Sequence, residues 1–133
     1  KTFVQTSKEK IKEKLTLLLK HDAIGMTKDQ YLRMVEQTGE EIDWERCPPE
    51  WQDFPESVAT AMEIFNGLGD KVYPEIGFVG KDFTNIDMLY ELHNIEYPNE
   101  KDWTLELLLF LENSAVDKSQ KQLRAAYEKA KKK

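Results

Sequence analysis

The chain has 133 residues, a formal net charge of −6, 40% hydrophobic and 33% charged residues, which suits one domain with a modest core and a polar surface. No apolar run approaches the roughly 18 residues that a membrane span requires. The single cysteine, Cys47, excludes an internal disulfide framework and a cysteine-based zinc site, and fits a reducing, cytoplasmic compartment.

Charge is polarised along the chain. Residues 1 to 21 carry +4 and residues 118 to 133 carry +6, so the stretch between them carries −16. Such basic ends can fold back on an acidic body or meet an anionic partner. The chain begins at Lys1, as a processed or trimmed product would. Gly25-Met26 reads either as a glycine ending a first helix or as a cleavage scar before a start codon, so residues 1–24 are expected to form an amphipathic helix, native or appended. Residues 26–133 are expected to form a single helical domain ending in a basic amphipathic helix.

In chain order, Thr6 and Glu9 have the spacing of a capping box, and Ile11, Leu15 and Leu18 form a stripe on a helix over 7–20 with a lysine-rich opposite face. His21 falls at its end, where the helix dipole favours an imidazolium. Thr27 and Gln30 repeat the capping pattern for a helix over 28–38, and Gly39 can stop it. From Glu40 to Glu50 the chain is acidic and irregular, and Pro48-Pro49 enforces extended backbone. Trp44 and Trp51 there are either anchors of a surface loop or exposed residues for a partner.

Asp53 and Glu56 repeat the capping spacing around Pro55, ahead of the helical stripe Val58, Ala61, Met62 and Phe65 in a helix over 54–66. Gly67 is placed to end that helix in a left-handed conformation. The glycine-punctuated segment 67–83 is expected to be irregular, with strand pairing around Val72 and Phe78 as the alternative. Thr84 is expected to cap a helix over 85–95, and Tyr97-Pro98-Asn99 to turn the chain. The run Leu105 to Leu111 is leucine-rich without β-branched residues, which favours a helix over 103–114. Leu123, Ala126, Tyr127 and Ala130 mark a narrow stripe on a last helix over 117–131. The expected fold is therefore all-α, a compact domain of five or six helices.

Signals for catalysis are weak. His21, His93 and Cys47 form no motif of nucleophile, base and orienting group. Gly80-Lys81 resembles the end of a phosphate loop, but Glu75 stands where its first glycine would be and Asp82 where its Ser/Thr would be. Glu40, Glu41, Asp43 and Glu45 lack the ligand spacing of a calcium loop. No cofactor or metal is expected.

The runs Pro-Pro-Glu-Trp-Gln-Asp-Phe-Pro from Pro48, Ile-Phe-Asn-Gly-Leu-Gly-Asp-Lys-Val-Tyr-Pro from Ile64 and Gly-Phe-Val-Gly-Lys-Asp-Phe-Thr from Gly77 resemble small uncharacterised proteins of tailed bacteriophages, over roughly residues 27–133. That resemblance implies a source and a role in virion assembly, in the cytoplasm of the host cell, and carries no functional residues. The expected function is a non-enzymatic protein–protein interaction module. The candidate partner-binding residues are Trp44, Trp51 and Phe54 in the loop, Leu15 and Leu18 on the first helix, and Leu123 and Tyr127 on the last. The stripes of the two terminal helices also suggest a homo-oligomer. The alternatives are a nucleic-acid accessory protein, contacting phosphates through Lys129, Lys131, Lys132 and Lys133, and an unrecognised enzyme.

Overall fold

The structure, a computed structural model, describes the backbone of residues 3–132 and the side chains of residues 7–22 and 24–132. Two compact units follow one another, Lys1–Pro55 and Glu56–Lys133. The described residues form five α-helices, a short 3-10 turn and one antiparallel hairpin.

In the first unit, helix α1 (Phe3–Ala23) buries Leu15 and Leu18. Its backbone is already helical at Phe3, so position 6 lies inside the helix and not at its start; the Thr6 side chain is outside the described residues. The helix ends as a Schellman motif, with Met26 N–H on the His21 carbonyl at 2.9 Å, Gly25 N–H on the Asp22 carbonyl at 3.1 Å, and Gly25 at φ 75°. Helix α2 (Lys28–Thr38) has the expected capping box. Thr27 Oγ1 accepts from Gln30 N–H at 3.2 Å, and Gln30 Oε1 accepts from Thr27 N–H at 3.0 Å. Gly39, at φ 73°, closes it.

The second unit is built on helix α3 (Glu56–Gly67), strands β1 (Gly69–Tyr73) and β2 (Gly77–Asp82), helix α4 (Ile86–Leu92) and helix α5 (Pro98–Lys131). Ile64, Leu68, Tyr90, Ile95 and Leu108 form its core, with Phe65, Phe83, Ile86 and Leu89 packed around them. The indole of Trp103 donates to Ser57 Oγ at 3.2 Å and ties α5 to α3. Of the leucine run, Leu107, Leu108 and Leu111 are buried while Leu105 and Leu109 face outward, the helical spacing that its composition predicts.

The expectation of an all-α fold is overturned by the hairpin, which leaves the chain mostly helical with a two-stranded antiparallel sheet. Tyr73-Pro74-Glu75-Ile76 has the pattern of a type II turn, with proline second, Glu75 at φ 72° and Ile76 N–H on the Tyr73 carbonyl at 3.3 Å. The pairing runs Asp70↔Lys81, Lys71↔Gly80, then Val72↔Phe78, so Val79 is an extra residue on β2. An extra residue reverses which backbone groups point out of the sheet edge. Phe78 and Lys81, three residues apart, therefore both turn their N–H groups to α5. Phe78 N–H donates to Ser119 Oγ at 3.3 Å and Lys81 N–H to Glu112 Oε2 at 2.8 Å. Three strand residues span about 10 Å, and the seven helix residues from 112 to 119 span about 10.5 Å, so the two rows match. The turn is held by the same helix, with Gln120 Nε2 on the Ile76 carbonyl at 3.1 Å and Tyr127 Oη on the Glu75 carbonyl at 3.2 Å.

Glycine is favoured at both of these contacts. A Cβ at Gly77 would lie 3.0 Å from Ser119 Oγ, and one at Gly80 would lie 3.0 Å from Glu112 Oε2; both residues have positive φ, 84° and 147°.

Other local expectations change for identifiable reasons. Segments 103–114 and 117–131 form a single 34-residue helix, because the hairpin packs along the second half. Pro98 opens that helix as its first residue and does not turn the chain away. Gly67 is not left-handed; a Cβ there would sit 3.3 Å from Leu89 Cδ2, so packing is what constrains it. Asp53 bonds backward to Glu50 N–H instead of capping α3. Thr84 donates its N–H to Asp82 Oδ1 at 3.0 Å, leaving Asn85 as the residue preceding α4.

Lys81 lies beneath the hairpin with its side chain 8% exposed, 2.6 Å from Asp70 Oδ1, 3.4 Å from the Leu68 carbonyl and 4.4 Å from the centre of the Phe65 ring. Asp70 is 55% exposed. Removing the carboxylate strands a buried cation, whereas removing the lysine leaves a hydrated acid. Asp70→Ala should therefore cost roughly 1–3 kcal/mol, and Lys81→Met less than about 1 kcal/mol. Urea unfolding of both variants measures this, and the reverse order would contradict it. By the same measurement Gly80→Ala should cost roughly 1–3 kcal/mol, and wild-type stability would contradict the close approach to Glu112.

Candidate functional site

The acidic stretch after α2 is more ordered than its composition suggests, because Asp43 organises it. Its carbonyl accepts Arg46 N–H at 3.1 Å, Cys47 N–H at 2.9 Å and Tyr31 Oη–H at 3.3 Å, and its carboxylate accepts Glu45 N–H at 3.1 Å. This is a side-chain-closed turn of the kind that aspartate favours. Trp44 stands on it with 61% of its surface exposed, and its carbonyl accepts Lys14 Nζ–H at 3.4 Å.

Beside that turn the first unit holds an open cleft of about 350 Å³. Ile11, Trp44, Pro48, Pro49, Phe54 and Pro55 form its apolar wall, and Lys10, Lys14 and Lys28 supply cations. Pro48 is fully buried and gives the wall a rigid base. Lys28 Nζ is neutralised by Asp53 Oδ2 at 3.1 Å. The same carboxylate accepts Glu50 N–H at 2.9 Å, and these two bonds, the backbone one first, hold Asp53 below the usual carboxylate range. Its hydrogen bond raises the Lys28 ammonium in turn. Burial pushes the Cys47 thiol up, against the pull of Lys28 and Lys14.

The sequence candidates fall in different places. Trp44 and Phe54 meet in the cleft, and Trp51 packs on Phe54 at 6.0 Å between ring centres, 44° between planes. Leu15 and Leu18 are buried, Leu123 is half-buried, and Tyr127 is bonded to the hairpin turn. Lys129, Lys131 and Lys132 are exposed near the end of α5, and Lys133 lies outside the described residues. Sequence reasoning did not single out Lys10, Lys14, Lys28 or the turn at Asp43. The i, i+4 spacing of Lys10 and Lys14 signals a shared helix face, but nothing local reveals that this face meets the prolines. Among the described residues no group of three or more His, Cys, Asp or Glu is placed to hold a metal ion, and no helix is long and apolar enough to cross a membrane.

No family model, curated protein or solved structure matches the chain.

Two measurements test this geometry. The Asp53 carboxyl, followed by carbon-13 NMR, should titrate below ordinary aspartates. Because its folded value is depressed, its contribution to stability is present above the unfolded carboxylate range and is lost as pH falls through the folded value; a midpoint at or above that range would contradict the bond network. Cys47 should react with iodoacetamide at neutral pH at least about tenfold more slowly in the folded chain than in urea, and equal rates would contradict its burial.

Proposed function

We propose that this protein is a non-enzymatic protein–protein interaction module whose binding element is the cleft beside Trp44, serving as an assembly or accessory factor of a tailed bacteriophage in the host cytoplasm. The observation that carries this reading is an exposed indole on a pre-formed turn, next to a wall of prolines and Phe54. Exposed aromatics on a rigid support are the usual anchors of protein interfaces, because little side-chain freedom is lost when they bind. The source and the assembly role rest on the sequence resemblance over residues 27–133.

The stripes that suggest a homo-oligomer are largely engaged within the chain. Leu15 and Leu18 are buried, and Tyr127 bonds to Glu75. A second reading, contact with nucleic acid, is favoured by the exposed Lys129, Lys131 and Lys132 at the end of α5.

Affinity capture from nuclease-treated native host extract, with wild type beside Trp44→Ser, tests the proposal. A protein partner held by wild type and lost from the variant is expected. Recovery of no partner, or of one indifferent to the substitution, would overturn the assignment to this cleft. Salt-sensitive retention on DNA that disappears when Lys129, Lys131 and Lys132 are replaced by Gln would favour the second reading instead.

A further inference from the structure

We infer that the occupant of the cleft is an acidic peptide segment of a partner protein, which places one apolar side chain against the Trp44 and proline wall and its flanking carboxylates on Lys10 and Lys14. This rests on the protein-binding reading above and adds the chemistry of the partner.

Lys28 is paired with Asp53, but Lys10 makes no ion pair among the described residues, and Lys14 bonds only to the Trp44 carbonyl at a long 3.4 Å. Both lysines line the cleft from one face of α1, one turn apart, so their ammonium groups present two adjacent positive charges over an apolar wall. The complement is a carboxylate pair bracketing an apolar residue.

Shape separates a peptide from a small molecule. A small ligand must bury most of its surface to bind, yet Trp44, which forms one wall, is 61% exposed and the cleft is open. The volume of about 350 Å³ leaves room for one large apolar side chain. Charge separates a peptide from a nucleic acid. Glu13 and Glu45 lie beside Lys10 and Lys14, and Glu40 and Glu41 precede the turn. These acids confine the positive patch to the two lysines, enough for one or two carboxylates but not for the continuous run of phosphates of a nucleic acid.

Selection from a random dodecapeptide library displayed in many copies on a phage coat tests the inference with the full chain as bait. The selected pool should be enriched in Asp and Glu flanking Phe, Leu, Ile or Trp. A fluorescein-labelled peptide from that pool should bind at least tenfold more weakly to Lys10→Glu/Lys14→Glu and to Trp44→Ser, and at least fivefold more weakly at 500 mM than at 50 mM NaCl. Unchanged circular dichroism confirms that each variant is folded. A neutral or basic pool lost on Trp44→Ser overturns the acidic partner while the protein-binding reading stands. A pool indifferent to all three substitutions, or no enrichment, removes both. Tighter binding of a labelled DNA duplex than of any selected peptide, abolished by the lysine reversals, assigns the cleft to nucleic acid and also overturns the inference.

Discussion

The second unit depends on one match of lengths, that between three residues of β2 and seven residues of α5. A regular strand turns every second N–H toward the same edge, so its outward donors recur at about 6.6 or 13 Å, and neither spacing fits the heptad of a helix. The extra residue at Val79 converts a two-residue repeat into a three-residue one and brings Phe78 and Lys81 into step with Ser119 and Glu112. A two-stranded hairpin is marginal alone. Here the helix acts as its third strand, accepting from β2 through side chains where a strand would use carbonyls. The same contacts explain why α5 continues for 34 residues although its apolar density falls after Val116. Its later turns are stabilised by the hairpin and not by a hydrophobic core.

Only β1 then presents a free sheet edge. That edge is short, carries Lys71, and runs into Pro74, which has no N–H to offer an incoming strand. The hairpin is thus closed on one side by α5 and discouraged from pairing on the other. Lys81 belongs to this arrangement as well. A buried lysine in an unfamiliar protein invites a catalytic reading, but its ammonium is occupied by Asp70, the Leu68 carbonyl and the Phe65 ring, and it joins the base of the hairpin to the end of α3.

Helices were legible where the signal was local. The Thr27–Gln30 box, the stop at Gly39 and the leucine run of α5 are each decided within a few residues, and each is found as read. The hairpin was legible only as the alternative, a pairing around Val72 and Phe78 that the structure contains, because β1 is exposed at all five positions and shows no alternation, and because its glycines look like breakers. Gly77 and Gly80 have positive φ and also lie against Ser119 and Glu112, far along the chain, which no window around them contains. The cleft was half legible. Trp44 and Phe54 stood out by residue type, but Asp43 did not, since an aspartate among four other acids looks like one more solvated charge until its bonds to residues 45, 46 and 47 are seen.

The energetics of the cleft bound how tightly it could hold the acidic segment proposed above. One large apolar side chain buried against Trp44 contributes roughly 1.5–3 kcal/mol, and each exposed ion pair at Lys10 or Lys14 roughly 0.2–1 kcal/mol. Association costs several kcal/mol in lost translational and rotational freedom, so these gains alone leave a single isolated segment weakly held. The turn at Asp43 reduces the ordering cost on this side of the interface, because the Trp44 backbone is already fixed before the partner arrives. For the acidic segment proposed above, repeated copies or a second contact on the same molecule would supply the remainder, since linkage raises the effective concentration into the millimolar range.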